Sequence, residues 1–285
     1  MTGQQAGPTT ARDAFAARGD RPLVGLWNAT GDPIAAEILA GSGADLLIVD
    51  GEHGPLGLRE ILAVLQAAEA YPVATVVRVP WNDPVIIKQV LDLGARSLVV
   101  PMVSTPEQAA AAVRAARYPG AAGAREGARG IGSALARSSR WGRIAGYVGA
   151  ADEHVSVLVQ IETAEGVANA AAIAAVDGVD GVFIGPADLA GSLGHPGDPG
   201  HPDVVAAVDA TVDAVRGVGT PVGVNAFAPA DADRVVARGA AFVVVGADVT
   251  ILARGAEAAV AQLRREPGDA ATDDSAPTTR ATDSY

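Results

Sequence analysis

Short runs rich in Val, Ile and Leu recur through residues 21–266, and each is followed by a longer stretch whose apolar positions return at helical spacing. The runs cover 22–28 (PLVGLWN), 44–52 (ADLLIVDGE), 73–80 (VATVVRVP), 97–103 (SLVVPMV), 155–162 (VSVLVQIE), 181–188 (GVFIGPAD), 221–225 (PVGVN) and 241–248 (AFVVVGAD), which makes eight strands. Near-continuous apolar strands need cover on both faces, as in a parallel sheet wrapped by helices. Five helical stretches open with proline, at Pro33, Pro84, Pro106, Pro202 and Pro229, where the missing N–H would be unpaired in any case. Asp32, Asp83 and Thr105 precede three of them as caps for the free amides.

Eight βα units within 21–266 predict a single-domain α/β fold, a (β/α)8 TIM barrel, whose usual size is about 250 residues. An open doubly wound sheet is the alternative, weakened because no G-x-G-x-x-G follows the first strand. Residues 1–20 and 267–285 show no apolar period and are expected to be unstructured tails. The stretch 118–154 is too long for a plain connection and carries Arg125, Arg129, Arg137, Arg140 and Arg143. It is either a solvated flap or an oligomer contact.

Composition narrows the chemistry. With no Cys there is no disulfide, no thiolate metal site and no thiol nucleophile, and the cytoplasm is the expected compartment. No stretch is long and apolar enough for a leader or a membrane span. A net charge of −12 argues against a nucleic-acid partner. Lys88 is the sole lysine, placed on an outer helix face four residues from Asp92, where an ion pair is expected; a desolvated Schiff-base lysine is therefore missing. Neither a serine nucleophile elbow nor a P-loop is present.

In a barrel of this kind the reactive groups stand at the carboxyl ends of the strands. Those ends carry Trp27, Asn28, Asp50, Glu52, His53, Arg78, Met102, Gln160, Glu162, Asp188, Asn225 and Asp248. Alternation along the fifth strand turns Val155, Val157, Val159 and Ile161 toward the helices and Ser156, Leu158, Gln160 and Glu162 toward the axis. Glu162 and Asp188 would end adjacent strands, a carboxylate pair suited to a hard divalent ion such as Mg2+ or Mn2+, with Co2+ a further candidate; the alternative is that each acid caps a helix. Asp50 stands three residues before His53, so it could orient the imidazole as a general base, or His53 could be an ordinary loop histidine. Arg78, between outward Val77 and Val79, should point inward and needs an anion, either a protein carboxylate or a substrate oxygen. His154, His195 and His201 lie in expected loops, and a zinc site of three histidines is poorly supported.

The segments IVDGEHGP (48–55), VVRVPWNDP (76–84), VLVQIET (157–163), VDGVDGVFIGPADLAGSLG (176–194) and FVVVGADVTILARGAEA (242–258) resemble the metal-dependent pyruvate aldolases of the HpcH/HpaI family. The resemblance spans nearly all of 21–264. It implies a class II lyase that cleaves or forms 4-hydroxy-2-oxo acids, giving pyruvate and an aldehyde. By the same likeness Glu162 and Asp188 would hold the metal, and His53 with Asp50 would move the proton. Arg78 would bind the keto oxygen, while Gln160, Trp27, Ala187 and Asp188 would line the substrate pocket. A homo-oligomer, usually a hexamer with its last helix packed on a neighbour, is also implied, with neither nucleic acid nor membrane as partner. The chain departs from the pattern at AAGAREGARGIG (121–132) and VGVNAFAP (222–229), regions that shape the aldehyde end in the family. A lyase for a keto-deoxy sugar acid or a CoA thioester is the alternative, and a keto-acid sensor the non-enzymatic one.

Overall fold

The structure is a computed structural model and describes residues 10–120 and 126–264. Each apolar run forms a strand: β1 (Leu23–Asn28), β2 (Leu46–Asp50), β3 (Ala74–Arg78), β4 (Ser97–Val100), β5 (Ser156–Ile161), β6 (Gly181–Ile184), β7 (Val222–Asn225) and β8 (Phe242–Ala247). The strands pair in parallel in chain order, and β8 returns to β1 to close a barrel. The helices in chain order are α1 (Ala11–Ala17), α2 (Pro33–Ala40), α3 (Leu58–Ala68), α4 (Pro84–Asp92), α5 (Pro106–Ala116), α6 (Tyr147–Ala150), α7 (Ala164–Ala168), α8 (Ala170–Ala174), α9 (Pro186–Ser192), α10 (Pro202–Gly217), α11 (Pro229–Ala237) and α12 (Asp248–Arg264). All five expected prolines occupy first helical positions, and Asp32, Asp83 and Thr105 accept amide hydrogens as caps. Residues up to Val249 form one compact unit. A second unit begins at Thr250 and contains the rest of α12.

Alternation divides the buried side chains into two sets. Leu47, Val49, Val77, Val79, Val157, Val159 and Ile161 pack outward against the helices. Leu46, Ile48, Val76, Val99, Leu158, Phe183, Phe242 and Val244 fill the barrel. The orientation expected for the fifth strand is the one observed, so Gln160 points inward. Within the barrel the aromatic rings form a column: Phe15 stacks on Phe242 with centroids 5.4 Å apart, Phe242 on Phe183 at 5.8 Å, and Phe183 tilts against Trp27 at 5.7 Å. The column fits because Gly223 has no side chain; a Cβ there would lie 2.2 Å from the Phe242 ring.

The lower end of this column corrects the expectation of a tail over 1–20. Residues 11–17 are helix α1, with Ala11 and Phe15 buried and a capping box between Thr10 and Asp13. The helix closes the floor of the barrel: the Ala11 amide donates to Ser97 Oγ at 2.9 Å, the Arg12 amide to Ser156 Oγ at 3.1 Å, and Arg12 pairs with Asp180 at 2.7 Å. Two turns of helix are too short to show an apolar period, which is why the pattern missed them. The remainder of the two expected tails, 1–9 and 267–285, lies outside the described residues.

Several elements stop earlier than the apolar runs suggested. β6 ends at Ile184 because Pro186 lacks an N–H for the ladder and instead opens α9, so Asp188 sits in the first turn of that helix rather than on a strand. β2 ends at Asp50, which leaves Glu52 and His53 in a turn. The expected Lys88–Asp92 pair is also replaced: Asp92 takes Arg129 at 2.6 Å, and the buried Arg129 guanidinium lies 4.4 Å over the Tyr118 ring. Arg137 donates to the Leu93 carbonyl at 3.0 Å and, with Arg140, engages Glu69. Three of the five arginines of 118–154 therefore fasten this excursion to the protein's own helices, while Arg125 lies outside the described residues.

The column sets a test of packing. Gly223→Ala should lower stability by about 1–3 kcal/mol through overpacking against Phe242. Gly191→Ala, whose Cβ meets nothing within 4 Å, should be neutral or stabilising. Urea midpoints of the two variants would check the contrast, and equal midpoints would show that the column is not tightly filled.

Candidate active site

Strand register makes the first contact of the site. Asp50 and Arg78 are direct partners across β2 and β3, and with Val49 and Val77 facing out both must face the axis. Asp50 Oδ1 accepts from Arg78 Nε at 2.9 Å and lies 2.8 Å from Nη2, while Arg78 Nη1 lies 3.1 Å from Glu52 Oε2. The guanidinium carbon is 4.3 Å from the centre of the Trp27 ring, at the top of the aromatic column. Trp27 is itself held, since its indole Nε1 donates to Asn225 Oδ1 at 2.9 Å. The two readings of Arg78 thus meet: it is buried and paired with protein carboxylates, and it is fixed in orientation at the barrel mouth. Removing one partner of such a buried pair typically costs about 3–5 kcal/mol.

Asp50 does not orient the His53 ring. Its Oδ1 accepts the backbone amides of Glu52 and His53, both at 3.2 Å, and so shapes the turn after β2. The carboxylate that approaches the imidazole is Glu52, with Oε2 3.9 Å from Nε2, and the ring is largely exposed. A spacing of three residues favours the amide of His53 over its ring, because a short acidic side chain caps the following turn. Glu52, left without a role by its sequence context, thus lies between Arg78 and His53. Its carboxyl is pushed up by burial, an effect that Arg78 and His53 oppose and that Asp50 and Asp188 reinforce.

Glu162 follows β5 and is buried. Its Oε1 accepts the Met102 amide at 2.7 Å, and Gln160 Nε2 donates to its other oxygen. Met102 adopts a positive φ of 55°, a conformation that costs a non-glycine residue about 1–3 kcal/mol and that turns its amide toward the carboxylate. Burial pushes the Glu162 carboxyl up to about 7; the bonds from Gln160 and Met102 oppose this, and the charges of Glu52 and Asp188 add to it. Gln160 Oε1 is buried and has no hydrogen-bond partner. Ala187 and Asp188 are exposed in the first turn of α9, where helix amides lack internal acceptors.

The excess of acid provides a test for a metal. Asp50, Glu52, Glu162 and Asp188 share the mouth with Arg78 as the one cation among them, and the charges of Glu52 and Asp188 both act on Glu162. Carboxylate oxygens that destabilise one another are the donor set of a hard divalent ion, so Glu162 and Asp188 fit the group that the sequence suggested.

Asp248 is another rim residue that had no role assigned from sequence. Asp248, buried at the end of β8, accepts from Asn28 Nδ2 at 2.9 Å, from the amides of Ala29 and Thr30 at 2.9 and 3.1 Å, and from the Thr30 hydroxyl. It holds the turn that follows Trp27. Its partners lie more than 200 positions away, and only closure of β8 on β1 brings them within reach.

Residues 23–255 match the family model described as HpcH/HpaI aldolase/citrate lyase. A Salmonella dublin protein named 4-hydroxy-2-oxo-heptane-1,7-dioate aldolase is 49% identical over 257 residues, which are 90% of this chain and 96% of that protein. Among solved structures, an HpcH/HpaI aldolase/citrate lyase family protein from Burkholderia cenocepacia J2315 is 40% identical, with a TM-score of 0.85 over 89% of this chain and 98% of its own. An HpcH/HpaI aldolase from Desulfitobacterium hafniense DCB-2 is 29% identical, with a TM-score of 0.80 over 91% and 98%. The barrel, the match over most of its length and these relatives together establish that the chain belongs to the HpcH/HpaI aldolase/citrate lyase family.

Proposed function

We propose that the chain is a class II pyruvate aldolase, a carbon–carbon lyase that cleaves or forms 4-hydroxy-2-oxo acids. The leading substrate is 4-hydroxy-2-oxoheptane-1,7-dioate, the compound in the name of the Salmonella relative, with pyruvate and succinic semialdehyde as products. The observation that carries this reading is the meeting of Glu52, Glu162 and Asp188 with Arg78, clamped over Trp27, at one barrel mouth. A divalent ion held by Glu162 and Asp188, Mg2+, Mn2+ or Co2+, would supply the positive charge that an enolate oxygen needs.

The protein groups divide the remaining work. Arg78 donates to the keto oxygen from a guanidinium whose orientation Asp50 fixes. Gln160 and Trp27 bound the pyruvate end, with Ala187 and Asp188 on the α9 side. His53, exposed at the rim and next to Glu52, takes the proton of the C4 hydroxyl when the bond to C3 breaks, and the electron pair of that bond becomes the enolate. Protonation at C3 gives pyruvate. A CoA thioester is a weaker substrate reading, since its phosphates would need several free arginines, and with Arg129, Arg137 and Arg140 paired only Arg143 is left among the described arginines of the excursion. For a homo-oligomer, a hexamer by family likeness, the support is apolar surface: Ile131, Leu135 and Trp141 are exposed on the excursion, and Leu252 and Leu263 on α12. Among the described residues no helix is long and apolar enough to cross a membrane.

The half-reaction without aldehyde provides the test. The enzyme should exchange the methyl protons of pyruvate with heavy water, followed by proton NMR, and chelation should stop the exchange. Glu162→Gln and Asp188→Asn should fail in the same way. Arg78→Ala should lose on the order of 2–4 kcal/mol of enolate stabilisation, about 30- to 10³-fold in rate, and Arg78→Lys should recover only part. Exchange that survives exhaustive chelation, or is indifferent to Arg78, would remove this site. Light scattering should return a multiple of the 28.5 kDa chain, sixfold for a hexamer; a single chain mass would refute the assembly.

A further inference from the structure

His53 stands in the turn that follows β2, and its exposed imidazole makes no hydrogen bond among the described residues, Glu52 Oε2 being 3.9 Å away. The reach of the ring is therefore set by the backbone beneath it. Asp50 Oδ1 shapes that backbone from the strand by accepting the Glu52 and His53 amides, both at 3.2 Å. A second support is the turn after β1. A Cβ on Gly54 would lie 2.9 Å from the Ala29 carbonyl oxygen, and a Cβ on Gly31 would lie 2.6 Å from Leu56 Cγ. Residues 29–31 and 54–56 are thus in close contact, with two glycines making the room.

Asp248 holds this second support. Its buried carboxylate takes the Asn28 side-chain amide, the Ala29 and Thr30 backbone amides and the Thr30 hydroxyl, and a fifth hydrogen bond comes from the Val249 amide at 2.8 Å in the first turn of α12. A helix cap accounts for the last bond alone. The Thr30 hydroxyl, 2.5 Å from Asp248 Oδ2, also accepts the Asp32 amide at 3.2 Å, so one carboxylate orders the chain from Asn28 to the cap of α2. Charge-assisted bonds of this kind are the strong ones. Among the described residues no hydrogen bond or ion pair joins Asp248 to Arg78, Glu162, Asp188 or His53, and its link to the site runs through the turn.

We propose that Asp248 is a positioning residue for the reaction: through the turn 29–31 it sets where the segment 51–54 presents His53, a role that rests on His53 as the base in the cleavage proposed above. The effect on rate follows from geometry. A displacement of about 1 Å at a reacting group, caused by a change far from the chemistry, lowers a rate on the order of 10²-fold. Since the imidazole has no side-chain hydrogen bond to restrain it, a shift of the turn passes to the ring directly.

Amide hydrogen exchange of the full chain, read by mass spectrometry, tests the coupling with no ligand present. In Asp248→Asn the peptide covering 50–56 should exchange faster than in the parent, although none of its residues is changed, while peptides from α4 and α5 should exchange as before. Thr30→Val deletes the hydroxyl bridge at an exposed position and should loosen the same peptide less, and Thr30→Ser should not loosen it. Turnover of 4-hydroxy-2-oxoheptane-1,7-dioate with Mn2+ present tests the role. Asp248→Asn should lower kcat on the order of 10- to 100-fold with KM little changed, and Thr30→Val should lower it less. In a double-mutant cycle, Asp248→Asn should cost nothing further once His53→Ala has removed the base. Unchanged exchange over 50–56, or loosening spread evenly over the barrel in both Asp248→Asn and Thr30→Val, would overturn the proposal. So would an equal loss of kcat in both His53 backgrounds, a result that leaves His53 standing as the base. Cleavage indifferent to His53→Ala would instead remove the functional reading, and the positioning role with it.

Discussion

Arg78 is a full positive charge placed where an apolar barrel opens, and most of the mouth is arranged around it. A guanidinium taken out of water needs anionic acceptors at its edge and tolerates a ring at its face. Asp50 supplies the first through strand register, Glu52 the second from the turn beyond β2, and Trp27 the ring. Each of these is held in turn: Trp27 by Asn225, and the turn after Trp27 by Asp248. The rigidity at the mouth therefore belongs to strands β1, β2, β3, β7 and β8 together, and no single loop provides it.

Charge arithmetic links that clamp to the other side of the mouth. Asp50 and Glu52 outnumber Arg78 by one, and Glu162 and Asp188 add two more carboxylates with no protein cation among the paired groups. Burial at Glu162 raises the cost further, partly offset by the Met102 amide and the Gln160 side chain. These carboxylates are the ones that the proposed divalent ion would draw together at the barrel mouth. Met102 carries its share as backbone strain, which is the form that strain takes at functional sites.

Below the mouth, the aromatic column ties the site to the floor. Phe15 on α1, Phe242, Phe183 and Trp27 run in series, and Gly223 leaves the room they require. Helix α1 is thereby part of the support for Trp27, although it lies at the opposite end of the barrel. On the outside, Arg129, Arg137 and Arg140 bind the long excursion to α3 and α4. Among its described residues Ile131, Leu135 and Trp141 add apolar surface beside these paired arginines.

What the sequence determined by itself is what depends on local period and local chemistry. Eight apolar runs, prolines at first helical positions and the alternation in β5 were all legible, because strand and helix periods are written in neighbouring residues. The inward Arg78 and buried Glu162 followed from the same alternation. Tertiary structure alone decided the partners. Asp50 lies beside Arg78 because of register across β2 and β3, which no spacing within either strand encodes. Asp92 chose Arg129 over the lysine on its own helix, Glu52 and not Asp50 approached His53, and Asp248 reached Asn28 through barrel closure. The His195 and His201 rings stack only because two turns fold their loop back on itself. Period is set by the geometry of one residue relative to the next, whereas a buried charge takes whichever partner the closed sheet brings within hydrogen-bond reach.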